Sequence, residues 1–237
     1  MLNVLAAERI KLKRNKLLLV CSAIAILLPI IVLPPNENES ISAISWVFRL
    51  QMFFQLVIYP ILSGFIITFL IQKEYGDQTI INTLTAPVER MKYLLGKLIV
   101  WFIWYITITL CFLAIICLRV FAFFGESILF DNLAEISIMI LRTGILYFGA
   151  LLPVAWIAVL QKRVFYPSLL AAFIITVSGM AGLLMHGLSG SIVPWSAVTL
   201  LSMPNGDVIN GVAYTSIVLC AAIGFGLAAY SFKKQEL

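Results

Sequence analysis

Six runs of apolar residues, each long enough to cross a bilayer as a helix, constrain this chain more than any other feature. They extend from Leu17 to Leu33, Trp46 to Ile71, Leu94 to Leu118, Ile136 to Leu160, Val164 to Met185 and Val212 to Phe232. A hydrocarbon core about 30 Å thick is crossed by ~20 helical residues. The runs are continuous, whereas barrel strands alternate polar and apolar residues, and a lipid-embedded backbone has to satisfy its own hydrogen bonds. The fold class is therefore all-α, with six transmembrane helices. Composition agrees: 62% of the residues are hydrophobic and 11% charged, against about a quarter charged in a water-soluble domain.

Basic residues precede the first run, as in a secretory signal. The run continues for 17 residues into Pro34 and Pro35, with no Ala-x-Ala pattern, so it reads as a retained span. Lys and Arg stay on the cytoplasmic side of membrane helices. With the N-terminus inside, thirteen basic residues face the cytoplasm: Arg9, Lys11, Lys13, Arg14, Lys16, Lys73, Arg90, Lys92, Lys97, Lys162, Arg163, Lys233 and Lys234. Only Arg49, Arg119 and Arg142 fall on the outer half, with Glu37, Glu39, Glu126, Asp131, Glu135 and Asp207. Both termini are expected in the cytoplasm. The net charge of +5 is an orientation signature, and nucleic acid is not an expected partner.

Residues 1–16 carry five of the basic side chains and read as an interfacial helix or as a plain basic flank. In the second span Gln51, Gln55 and Tyr59 recur at i, i+4 and i+8, close to Arg49. Polar groups in a span face protein or a water-filled cavity. They read either as the wall of a substrate path or as hydrogen-bonding groups between helices.

The longest inner connection, Gln72 to Lys97, is far more polar than its surroundings. Gly76 and Asp77 make a turn, and Asp77 caps a short helix from Gln78 to about Leu84. Ile80, Ile81 and Leu84 form an apolar face too small for a core. A second helix begins near Pro87, which suits a first helical position, with Glu89 at its positive end. Arg90, Lys92 and Lys97 anchor the next span at the inner surface.

On the outer side, Arg119 to Glu135 reads as a connection containing a short surface helix. Arg142, two turns inside the fourth span, is expected to snorkel toward Glu135 or Asp131. Residues 186–211 hold an apolar stretch from Trp195 to Met203, too short to span. It reads as an extracellular interfacial or re-entrant helix with Trp195 at headgroup level.

Catalytic chemistry is missing from the sequence. There is one histidine, His186, no His-Glu-x-x-His, no Gly-x-Ser-x-Gly and no phosphate-cradling Gly-x-x-x-x-Gly-Lys-Ser/Thr, so no catalytic or metal-binding residue is assigned. The four cysteines are scattered within spans. ATP, if used, is bound by another polypeptide. Ion-driven transport is disfavoured, because acidic residues are confined to connections and termini.

The Gln72 to Lys97 segment resembles the first cytoplasmic loop of type 2 ABC exporter permeases: an acid, a Gly-x-x-Thr turn, a leucine, then proline and a basic residue. Glu74, Gly76, Thr79, Leu84, Pro87 and Arg90 stand in that order. Val193-Pro194-Trp195-Ser196 and the chain length look like the bacterial lantibiotic-immunity and antimicrobial-peptide export permeases. The resemblance implies one permease domain over 1–237 in a bacterial cytoplasmic membrane. It also implies a coupling helix at 72–96 that docks into an ATPase groove through Glu74, Gly76, Asp77, Gln78, Thr79, Ile80, Ile81, Thr83, Leu84, Pro87 and Arg90. It further implies a second permease copy or related subunit, two ABC ATPase subunits carrying ATP and magnesium, and an amphipathic or hydrophobic peptide as cargo. The alternatives are a type 2 exporter of lipid, glycan or small drug, and a membrane anchor or sensor that transports nothing.

Overall fold

The computed structural model describes residues 16–32, 42–76, 90–124, 130–161, 164–203 and 205–234. These residues are helical apart from short turns and one isolated bridge, Gly187 to Val208. Five stretches are long and apolar enough to cross a membrane: Ala43–Lys73, Met91–Phe124, Leu133–Leu160, Tyr166–Leu184 and Asn210–Lys234. The first expected span appears as α1, Lys16–Ile31, with 16 residues. At 1.5 Å per residue it reaches only about 24 Å.

Helix α1 is held along its length by donors from its neighbours. Tyr59 Oη donates to the Ala25 carbonyl at 3.0 Å and Trp104 Nε1 to Ser22 Oγ at 2.9 Å. A helix C-terminus leaves its last carbonyls without intrahelical partners, and here Arg119 supplies them. Its guanidinium donates to the carbonyls of Pro29 and Ile30, each at 2.8 Å, and to that of Val32. It lies over the rings of Trp46 and Phe123. The opposite face of α1, with Leu19, Val20, Leu27 and Ile31, is exposed.

The second expected span is one column in three parts: α2 (Ala43–Phe53), a π turn (Phe54–Ile58) and α3 (Tyr59–Gly76). Ser42 Oγ caps α2 by accepting from the Ser45 amide. The π turn ends two residues before Pro60, which has no amide to give the helical ladder. It also divides the polar row. Gln51 and Gln55 bond to the helix at Phe130–Leu160, and Tyr59 to α1.

Two long helices follow, α4 (Arg90–Phe124) and α5 (Phe130–Leu160). The expected connection with a surface helix from Arg119 to Glu135 is thereby corrected. Arg119 lies within α4 and Glu135 within α5, because Val120 and Ile136 are buried in helix packing, which extends both helices. Helix α6 (Tyr166–Ala181) ends in a 3₁₀ turn, Gly182–Leu184. Two short helices, α7 (Gly187–Ile192) and α8 (Pro194–Ser202), lead to α9 (Asn210–Lys234).

Helices α5 and α9 approach closely at Gly224. A Cβ there would lie 2.8 Å from the Leu152 carbonyl carbon and from Pro153 Cδ. Trp156 Nε1 donates to Ser231 Oγ at 3.0 Å two turns along. In lipid, such close backbone approach and interhelical hydrogen bonding replace the hydrophobic drive of a soluble core. Trp101, Tyr105 and Phe148 add an aromatic cluster, with centroids of 4.6 Å between Trp101 and Phe148. Trp101 Nε1 donates to Ser63 Oγ and to the Ser63 carbonyl.

Helix α8 corrects the expectation of Trp195 at headgroup level. Residues Ser196 to Ser202 are all buried. Trp195 Nε1 donates at 2.8 Å to the carbonyl of Ala150, which is 17 residues past Leu133 and ten before Leu160 in that apolar stretch. The helix is sunk between α5, α6 and α9. Gly182 permits this, since a Cβ there would stand 2.8 Å from Ser196 Cα.

Candidate functional site

Three polar layers lie along the bundle. The first surrounds the helix ends that flank residues 77–89. Lys97 is 2% exposed, and its ammonium donates to the Leu70 carbonyl at 2.6 Å while lying 4.9 Å from the centre of the Tyr93 ring. A buried ammonium needs such acceptors because hydrocarbon offers none. The expected surface anchor is therefore a bolt between α3 and α4. Its depth is legible in part: it follows Arg90 and Lys92 by about two and about one and a half turns, toward the apolar end of the helix.

Gln72 extends the tie to the turn between α5 and α6, donating to the carbonyls of Val164 at 2.5 Å and Gln161 at 3.4 Å. Gln161 in turn donates to Ser168 Oγ and accepts from the Ser168 amide. Ser168 Oγ meets Thr68 Oγ1 at 2.6 Å. Four helices, α3 to α6, are thus joined at one end by side chains.

In the second layer Gln51 Nε2 donates to Thr143 Oγ1 at 2.7 Å, and Thr143 Oγ1 meets Ser202 Oγ at 2.9 Å. Gln55 Nε2 donates to the Ile140 carbonyl at 2.7 Å. Both glutamines and Tyr59 are fully buried. The Oε1 atoms of Gln51 and Gln55 accept no hydrogen bond from the described residues.

The third layer is a cavity of about 470 Å³ beside the start of α5. Its wall includes Glu135, Arg142, Ser202 and the apolar Ile44, Ile138 and Met203. Arg142 reaches into it and also donates to the Leu201 carbonyl at the end of α8.

Of the expected coupling residues, Glu74 and Gly76 lie in the last turn of α3 and Arg90 begins α4. Asp77, Gln78, Thr79, Ile80, Ile81, Thr83, Leu84 and Pro87 lie outside the described residues, as do the segment 1–15 and Glu126. Among the described residues no group of three or more metal-binding side chains comes together.

A family model described as ABC-2 family transporter protein matches residues 4–179. The chain belongs to the ABC-2 transporter family. A curated relative, the bacitracin transport permease protein BCRB of Bacillus licheniformis, is 27% identical over 196 residues, covering 79% of this chain and 89% of the relative.

This ABC-2 chain is thus a multi-pass membrane permease subunit of a transporter, and membership in the family implies partnership with ABC ATPase subunits. The family match includes the tied helix ends, the buried glutamines and both charged residues of the cavity. It stops before α7, α8 and α9.

Proposed function

We propose that this permease is the membrane half of an ATP-driven exporter that moves an amphipathic or hydrophobic peptide outward. The reading includes six spans with both termini cytoplasmic in a bacterial plasma membrane, α1 being the first span. It includes two permease subunits, alike or related, over two ATPases that carry ATP and magnesium. Residues 72–96 form the coupling segment. The 186–211 segment enters the membrane from outside and returns.

The observation that carries the reading is the bond from Lys97 to the Leu70 carbonyl. The ATPase is proposed to grip the residues between α3 and α4. A bolt across the base of those two helices, continued by Gln72 to α5 and α6, makes the grip move the bundle as one body rather than bend one loop. Gln51 and Gln55 are placed on the cargo path, where their unbonded Oε1 atoms accept cargo amides as the helices part. Tyr59 lines the α1 side of that path. The kinship with a protein named as a bacitracin permease supports a peptide cargo.

The test is reconstitution of the permease with its ATPase in vesicles. Leu84→Asp and Arg90→Asp are expected to insert normally while abolishing cargo-stimulated ATP hydrolysis and transport. Unchanged transport in both variants overturns the coupling role. Stimulation of hydrolysis by lipids or small drugs, and not by peptides, overturns the cargo.

A further inference from the structure

Glu135 and Arg142 are seven residues apart on α5 and line the same cavity. Seven residues turn a helix through almost two full turns, so both side chains leave one face, with Arg142 about 10 Å further along the axis. Side chains on a helix lean toward its N-terminus, here toward Glu135, and the longer arginine arm shortens the gap between the charges. The order along the membrane normal is fixed. The carboxylate stands toward the membrane surface and the guanidinium toward the hydrocarbon.

An amine-bearing phospholipid presents the complementary order, its phosphate next to the glycerol and acyl chains and its ammonium beyond. This holds in either leaflet, so the match does not depend on which end of α5 faces out. A guanidinium takes a phosphate through paired N–H groups, and a carboxylate accepts from a primary ammonium. Ile138, between the two charged residues along α5, and Ile44, near the start of α2, make the wall beside the headgroup apolar. The volume of about 470 Å³ falls within the usual ligand-site range of roughly 300–1,000 Å³.

We infer that this cavity is a binding site for a phospholipid with a primary-amine headgroup, its phosphate on Arg142 and its ammonium on Glu135. Ser202, hydrogen-bonded to Thr143 and through it to Gln51, forms part of the floor. A seated lipid therefore abuts the buried polar layer of α2. Cargo peptides carry no fixed order of charge along the membrane normal, so the geometry favours the lipid.

The test uses the purified full-length chain in detergent, with native mass spectrometry reading the binding of added phosphatidylethanolamine, phosphatidylglycerol and phosphatidylcholine. Phosphatidylethanolamine is expected to bind about tenfold more tightly than phosphatidylglycerol, which lacks the amine. Phosphatidylcholine, whose quaternary amine donates no hydrogen bond, is expected to resemble phosphatidylglycerol. Glu135→Gln is expected to erase the preference. Arg142→Gln should weaken every lipid, and Arg142→Lys, which keeps the charge and the fold, should retain the preference at lower affinity. Equal binding of the three lipids to the wild-type chain overturns the proposal, as does an unchanged preference in Glu135→Gln. Displacement by soluble glycerophosphoethanolamine at equal concentration would assign the cavity to a free solute instead. A cationic amphipathic peptide that loses binding in the variants, while the lipids keep theirs, would assign it to cargo.

Discussion

Trp195 donates its indole N–H to the carbonyl of Ala150 at 2.8 Å, which ties a helix of nine residues to the middle of one of 31. The acceptor is well chosen. Pro153, three residues on, has no amide, so the ladder of α5 is interrupted beside Ala150. The carbonyl that loses its helical partner is that of Gly149, one residue before the acceptor.

The sunken position of α8 has a direct readout. In a cysteine-free background, Ser189→Cys should react with a membrane-impermeant maleimide added to intact cells, because Ser189 is exposed, whereas Ser196→Cys should not, because Ser196 is fully buried. Equal labelling of both would place α8 on the membrane surface.

Gly224 and Gly226 make a matched pair. A Cβ at Gly224 meets the backbone of Leu152 and Pro153, whereas one at Gly226 meets none of the described residues within 4 Å. Gly224→Val is expected to cost ~1–3 kcal/mol through overpacking and to lower the melting temperature, with Gly226→Val close to wild type. Thermal unfolding of the two purified variants decides it.

The Gln51 and Thr143 pair tests the second layer. Thr143→Val leaves the Gln51 amide and the Ser202 hydroxyl without this partner. Interhelical hydrogen bonds in membranes average about 0.6 kcal/mol with a maximum near 1.7, so a double-mutant cycle with Gln51→Leu should return a coupling in that range. A coupling of zero would mean the bond carries no stability.

Lys97→Met keeps the side-chain stem and removes the donor. The acceptor left behind at Leu70 is a neutral carbonyl, not an opposite charge, and Met carries no charge to desolvate, so the melting temperature is expected to change little. Cargo-stimulated ATP hydrolysis is expected to fall several-fold, because the tie at the base of α3 and α4 is then lost, the Trp101–Ser63 bonds further along the helices remaining. Wild-type stimulation in Lys97→Met would remove Lys97 from the coupling path.

Hydropathy located the five long apolar stretches to within a few residues, because long apolar helices have no other solvent than lipid. It misplaced what depends on a neighbour's backbone. Arg119 reads as the flank of a span, and only the three-dimensional arrangement reveals three carbonyls of α1 within its reach. Trp195 reads as an interfacial residue, since nothing in its own segment announces an acceptor at Ala150. The Gln51, Gln55 and Tyr59 row was visible as a polar face. Its division between α5 and α1 was not, because the π turn before Pro60 alters the register.

Photocrosslinking from Leu84 tests the central claim most directly. With a benzophenone amino acid at position 84 in cells that express the permease and its ATPase, the expected product is a covalent adduct with the nucleotide-binding subunit. Crosslinks to lipid or to extracellular protein alone, with the ATPase present and unlinked, would contradict it.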